Sequence, residues 1–317
     1  MRDLRINGIV PVIPTPFFAD DRPDWESLRG LIDFAHAVGA CAICLPAYAG
    51  EFYKLSESER RDAVTRAAEY ATDRIPVIAQ VNFMTPRMVV ESGAVAAENG
   101  ATGLCSAVPR LIPLSEKDLF RYFADILDSV ELPFIIQDFN PSGSTLSASF
   151  VAKLNSAFPH FRYIKLEEPM MAARVREIND ASEGRVGVLE GWGGMHMLEL
   201  IRAGIAGVMP GLGVSDVLGL SFRQAKDNDY DSAYESFKHV CPHIVFSLQS
   251  IELLHHAEKR LLQARGLLQN AFVRQARIEL AEEDAKHIEF LNDKLLMSLD
   301  RLGIARNPLL SKSSEYR

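Results

Sequence analysis

Cysteine is scarce in this chain: four residues in 317, far from the disulfide framework of a small secreted domain. Two of them, Cys41 and Cys44, form a CxxC inside the apolar run Ala40-Cys-Ala-Ile-Cys-Leu-Pro46. No second CxxC completes a zinc site. Residues three apart on a strand point to opposite faces, so one sulfur is expected in a barrel interior and the other toward helices. A structural pair is therefore favoured over a metal centre. Long apolar runs are also missing. Nothing approaches the ~18 residues of a membrane span, and Met1-Arg-Asp-Leu-Arg-Ile6 lacks the apolar core of a signal peptide. A cytoplasmic protein with no membrane partner is expected. Positive charge is in deficit, with 34 Lys and Arg against 42 Asp and Glu, a net charge of −8. That balance argues against nucleic acid as a partner, which needs a cationic surface.

What is present is an apolar chain, 48% hydrophobic, long enough for a barrel of roughly 250 residues plus an extension. Short Val/Ile/Leu/Phe runs alternate with longer amphipathic stretches, the α/β pattern. Eight strands are expected near 8–14, 41–46, 75–81, 103–107, 133–137, 161–165, 186–190 and 206–209. Their continuous apolar character fits parallel strands buried on both faces. Ser56 with Glu59 forms a capping box, and Ser115 with Asp118 resembles another. Gly39, Gly100 and Gly204 each precede a strand and stop a helix. The pattern predicts a (β/α)8 TIM barrel over residues 1–226, with an open doubly wound sheet as the alternative. From Asp227 onward apolar residues recur at helical spacing over 230–248, 251–268 and 272–302. A C-terminal helical extension over 227–317 is expected, ending in a frayed tail at 311–317.

Of ten lysines, nine lie in polar helical or loop contexts, and Lys165 differs. It ends the run Phe161-Arg-Tyr-Ile164, at the end of strand six, where barrel strands face the active-site mouth. Apolar walls there disfavour the ammonium, and a neutral amine attacks ketones. The competing reading is an ion pair with Glu167 or Glu168, which follow at once. Weaker signals take structural readings. Gly191-Trp-Gly-Gly194 and Gly211-Leu-Gly213 lack the full dinucleotide fingerprint, and His255-His256 cannot share a helix face. No metal site is expected.

Several segments in order resemble the dihydrodipicolinate synthase/N-acetylneuraminate lyase family. They are Gly8-Ile-Val-Pro-Val-Ile-Pro-Thr-Pro-Phe17, Gly50-Glu51, Pro133-Phe-Ile-Ile136, Tyr163-Ile-Lys165 and Gly204-Ile-Ala-Gly-Val-Met-Pro-Gly211, within roughly residues 7–300. The resemblance implies a Schiff-base role for Lys165, no cofactor, a 2-oxo acid substrate and a homo-oligomer, a tetramer by the family's habit. It implies that the backbone of Tyr48, Ala49 and Gly50 holds the substrate carboxylate.

Departures from the family are equally informative. Ala47-Tyr48-Ala49 replaces hydroxyl residues before Gly50. Gln137 stands where the family has a relay tyrosine, Arg110-Leu111 replaces a tyrosine pair, and Asn140-Pro-Ser-Gly-Ser144 offers no arginine. An amide cannot shuttle a proton as a phenol can. With Lys165-Leu-Glu-Glu-Pro169 and Glu190-Gly-Trp192, these features resemble the 2-keto-3-deoxy sugar acid dehydratases, of the L-2-keto-3-deoxyarabonate kind. Lys165, Glu167, Glu190 and Gln137 are then the expected catalytic groups. Arg110, Trp192, Met209 and Gly211 join Tyr48, Ala49 and Gly50 around the substrate, although Arg110 reads equally well as a surface residue. Glu51 is expected to brace its loop rather than react. A pyruvate aldolase or condensing synthase, and a non-catalytic sugar-acid-binding protein, are the alternatives.

Overall fold

The computed structural model describes residues 4–140, 145–168 and 171–311. Residues 141–144 of the loop after strand five, Pro169 and the tail from 312 lie outside them. The eight expected strands form: β1 (Gly8–Ile9), β2 (Ile43–Leu45), β3 (Val77–Gln80), β4 (Gly103–Ala107), β5 (Phe134–Phe139), β6 (Phe161–Glu167), β7 (Gly187–Glu190) and β8 (Gly207–Val208). They pair in parallel in the order β1-β8-β7-β6-β5-β4-β3-β2. The ring closes where Val12 bridges both Cys44 and Gly211, and where Ile13 N donates to Cys44 O at 3.0 Å. The sheet is therefore a barrel rather than an open sheet. β1 is shorter than its apolar run because Pro11 and Pro14 have no N–H for the ladder.

The strands are separated by α1 (Trp25–Ala37), α2 (Glu57–Ala71), α3 (Pro86–Glu98), α4 (Glu116–Leu127), α5 (Ala148–Ala157), α6 (Met171–Ser182) and α7 (Met197–Ala203), with α8 (Ser215–Lys226) after β8. Ser56 and Glu59 make the reciprocal capping box at α2, and Ser115 accepts from Asp118 N at α4. Gly100 (φ 95°) and Gly204 (φ 95°) take the left-handed conformation that ends α3 and α7. Alternate strand residues, among them Cys44, Ile78, Cys105, Ile135, Tyr163, Leu189 and Met209, fill the barrel interior, while the others pack against the helices. The N-terminal segment closes the barrel floor, where Tyr163 Oη accepts from Ile6 N at 2.9 Å and donates to Leu4 O at 3.2 Å. The CxxC is divided as a structural pair. Cys44 lies in the interior beside Cys105, whereas Cys41 precedes β2 with its Sγ on Asn7 O.

The C-terminal region carries α9 (Tyr230–Phe237), α10 (Cys241–Ser247), α11 (Ile251–Ala264) and α12 (Glu282–Leu302). Two helical expectations are corrected. Pro242 sits in the first turn of α10 and divides the 230–248 stretch. Residues 272–281 are not helical, because their backbone serves elsewhere: Phe272 O accepts from Lys259 Nζ at 2.7 Å, and Arg274 N donates to Glu51 at 3.1 Å. Ile244, Leu261, Leu295 and Leu299 share one apolar cluster with Val214 and Leu218 of the barrel. Among the described residues no helix is long and apolar enough to cross a membrane.

Candidate active site

Strand alternation decides which side chains meet at the barrel mouth. On β6, Tyr163, Lys165 and Glu167 point inward, and Gln137 on β5 is the lateral neighbour of Lys165 in the ladder. Lys165 and Glu167 are buried, with Nζ 3.0 Å from Glu167 Oε1. Gln137 Nε2 donates to the same oxygen at 2.8 Å, and Gln80 of β3 donates through its amide to Gln137 Oε1. Gly191 makes room for this carboxylate, since a Cβ there would meet Glu167 Cγ at 2.3 Å.

Burial opposes the charge on Lys165, but Glu167, through its charge and hydrogen bond, together with Cys105 and Cys44, raises the lysine above its ordinary value. The expectation of a lysine kept neutral by apolar walls is thus corrected. Lys165 rests as an ammonium beside a carboxylate that can take its proton. The ion pair and the nucleophile are two states of one arrangement. Glu168 points the other way and pairs with Arg174 at 3.2 Å.

Lys165 borders a cavity of about 60 Å³, shared with Ala49, Gly191, Met209, Gly211, and His243 and Glu258 from the C-terminal helices. That space holds a few water-sized groups. A larger cavity, about 460 Å³, opens between α2 and α3 and does not reach Lys165. The loop after β2 forms a 3₁₀ turn, Tyr48–Gly50. Gly50 must be glycine, because a Cβ would lie 2.6 Å from Ile13 O. Its N–H is already bonded to Ala47 O at 2.8 Å, and that of Glu51 to Tyr48 O at 3.1 Å. The donors left for an anion are the N–H groups of Tyr48 and Ala49, the free first donors of such a turn. Gly50 contributes shape and no free donor. Glu51 is fully buried and accepts from Lys54, Lys259 and Arg274 N, as a loop brace would.

Two expected site residues are placed elsewhere. Glu190 follows the inward Leu189 and so faces outward. Its carboxylate accepts from Gly194 N at 2.7 Å and His196 N at 3.4 Å, and burial pushes its pKa up to about 7. It shapes the β7–α7 loop and does not enter the cavity beside Lys165. Arg110 pairs with Asp138, which faces outward behind Gln137. Trp192 packs edge-on against Phe139 with ring centroids 6.2 Å apart, at the rim. Sequence reasoning missed Gln80. Its signal was a lone amide inside Val77-Ile-Ala-Gln80-Val81, a run read only as apolar. Glu258 and His243 were also missed; both lie in helices remote in sequence from every strand.

The model of the Dihydrodipicolinate synthetase family matches residues 5–292. The chain is 26% identical over 296 residues to L-2-keto-3-deoxyarabonate dehydratase of Azospirillum brasilense, covering 89% of this chain and 88% of that protein. It is 33% identical over 142 residues to 4-hydroxy-tetrahydrodipicolinate synthase of Aromatoleum aromaticum, covering 45% of this chain and 48% of that protein. The dihydrodipicolinate synthase structure from Rhodopseudomonas palustris superposes with a TM-score of 0.85 at 21% identity, over 92% of this chain and 97% of that one. With a family model spanning nearly its whole length, the chain belongs to the dihydrodipicolinate synthetase family.

Proposed function

We propose that the protein is a lyase that binds a 2-oxo acid as an imine on Lys165 and eliminates water from a 2-keto-3-deoxy sugar acid, of the L-2-keto-3-deoxyarabonate type. The observation that carries this reading is Lys165 Nζ 3.0 Å from Glu167 Oε1, both buried, beside a cavity that Lys165 borders. Lys165 passes a proton to Glu167, and the freed amine adds to the C2 ketone. Loss of water leaves a protonated imine. Tyr48 and Ala49 N–H groups hold the substrate carboxylate. The iminium withdraws electrons from C3, and the Glu167 carboxylate takes the C3 proton to give an enamine. The enamine electrons expel the C4 hydroxyl, which leaves as water with a proton from Glu167. Hydrolysis of the imine frees Lys165, and the C3–C4 alkene isomerises through an enol to α-ketoglutarate semialdehyde.

Glu167 is the carboxylate assigned to this chemistry, since Glu190 is turned away. Gln137 favours elimination over a condensation that relies on a phenol relay, because an amide holds a proton partner without titrating. The similarity to L-2-keto-3-deoxyarabonate dehydratase over most of both chains supports the same choice. Incubation with L-2-keto-3-deoxyarabonate tests it. Stoichiometric semialdehyde is expected. Release of pyruvate from the sugar acid would instead establish an aldolase, and absence of both products would reject the catalytic reading.

A further inference from the structure

Two polar side chains converge on Glu167, and a third stands behind one of them. Glu167 Oε1 accepts from Lys165 Nζ at 3.0 Å and from Gln137 Nε2 at 2.8 Å. An ionised carboxylate can only accept, so Gln137 must turn its NH₂ group toward it. Its carbonyl oxygen then faces β3, where Gln80 donates an N–H to it. Gln80 and Gln137 are both buried, at 5% and 4% exposure, so water cannot replace either bond freely. The polarity of the whole chain, Gln80 to Gln137 to Glu167, is set by the carboxylate at its end. Without Gln80, the Gln137 carbonyl would be left unpaired in a dry site, or the amide would turn over and present oxygen to oxygen. Either outcome is costly for a buried polar group.

We infer that Gln80 is a positioning residue for proton transfer at C3: it locks the Gln137 amide in the orientation that holds the Glu167 carboxylate against the substrate. The inference rests on the reading above, in which Glu167 takes that proton. Neither amide moves a proton. Their role is to keep one carboxylate oxygen in place while the acid–base step uses the group. The end-point of imine trapping needs only the lysine amine and the anion-holding turn, because Glu167 sets how fast the lysine loses its proton and not how much imine is finally reduced. Loss of Gln80 therefore separates two steps that a general loss of structure would damage together.

The test uses pyruvate, which presents a C2 ketone and C3 protons without any sugar tail. Borohydride trapping reports the imine, and exchange of the C3 protons in D₂O, followed by NMR, reports proton abstraction. Q80M keeps the volume and removes the donor. Q80E keeps the shape but, when ionised, offers an acceptor to the Gln137 carbonyl and so turns that amide the wrong way. Expected are trapping within about twofold of wild type for both, and C3 exchange lowered roughly 10-fold in Q80M and roughly 100-fold in Q80E, within the range of general acid–base effects. The Q80E deficit should deepen as pH rises and the new carboxyl ionises, a response that packing alone would not produce. Exchange equal to wild type in both variants overturns the inference. So does parallel loss of trapping and exchange, which would make Gln80 structural. A wild-type protein that traps pyruvate on no lysine overturns the underlying catalytic reading, and the inference with it.

Discussion

Two of the buried lysine–glutamate pairs among the described residues differ in what surrounds them. Lys165 meets Glu167 at the barrel mouth at 3.0 Å, and Lys259 of α11 meets Glu51 in the loop after β2 at 2.5 Å. Around Glu51 every direction is filled. Lys54 Nζ lies at 3.1 Å, Arg274 N at 3.1 Å, and Lys259 is held further by Phe272 O and the Phe17 ring. Burial lowers the pKa of Lys259 to about 8, and the cations Lys54 and Arg274 work in the same direction against the pull of Glu51. Around Lys165 no second cation contributes among the described residues, and Glu167 with Cys105 and Cys44 raises it against burial. Depressed basicity alone would therefore select Lys259 as the reactive amine. Access selects Lys165, which borders a cavity and has a carboxylate free to exchange a proton with it. Glu51 shows the cost of the other design: it sits at φ 65°, a left-handed conformation unusual for glutamate, held by its saturated carboxylate.

Replacing each lysine and its glutamate neighbours in turn separates the reactive pair from the bracing one. K165M should abolish the imine and lower turnover by about 10⁴-fold or more, as loss of a covalent nucleophile does. E167Q should keep the fold and lower turnover by roughly 10²–10⁴-fold, whereas E190Q should stay within a few-fold, measured as steady-state kcat. A collapse of E190Q with E167Q intact would reverse the assignment drawn from strand alternation. K259M should retain pyruvate trapping but lose about 1.5–3 kcal/mol in urea unfolding, because it removes a charge-assisted partner from the buried Glu51 and leaves Phe272 O unpaired. A K259M protein as stable as wild type would refute the bracing role.

A smaller effect sharpens the contrast between the two glutamates. Burial raises Glu190 from 4.5 to about 7, so the folded protein binds this proton more tightly than the unfolded chain. Stability from this group is thus full below 4.5, falls as pH rises to about 7, and is level beyond. The span corresponds to roughly 3 kcal/mol. Urea melts at pH 5 and pH 7.5 should show a shallower fall in E190Q than in wild type. The remaining slope belongs in part to Glu258, which burial also pushes up to about 7. An unchanged slope would contradict the buried, loop-capping placement of Glu190.

The barrel was legible in the sequence because parallel strands buried on both faces leave continuous apolar runs, and all eight appear where such runs stand. Lys165 was legible because a charge ending such a run is conspicuous. Glu190 was legible as a carboxylate ending a strand, but which face it took depended on a register counted from Leu189. Lys259 was read as an ordinary helical lysine, since nothing local shows that α11 lies against the Glu51 loop, 208 residues away in the chain. Residues 272–281 look helical in spacing, but their backbone groups are claimed by Glu51 and Lys259, a tertiary demand that overrides propensity. Gln80 had a local signal, one amide in an apolar strand, and its partner across the barrel gave it meaning only in three dimensions.

The most direct measurement is peptide mapping of the protein after reduction with borohydride in the presence of pyruvate. A single adduct on the peptide containing Lys165, with Lys259 unmodified, is the predicted result. An adduct on Lys259, or none on either lysine, would contradict the assignment of Lys165 as the imine-forming residue.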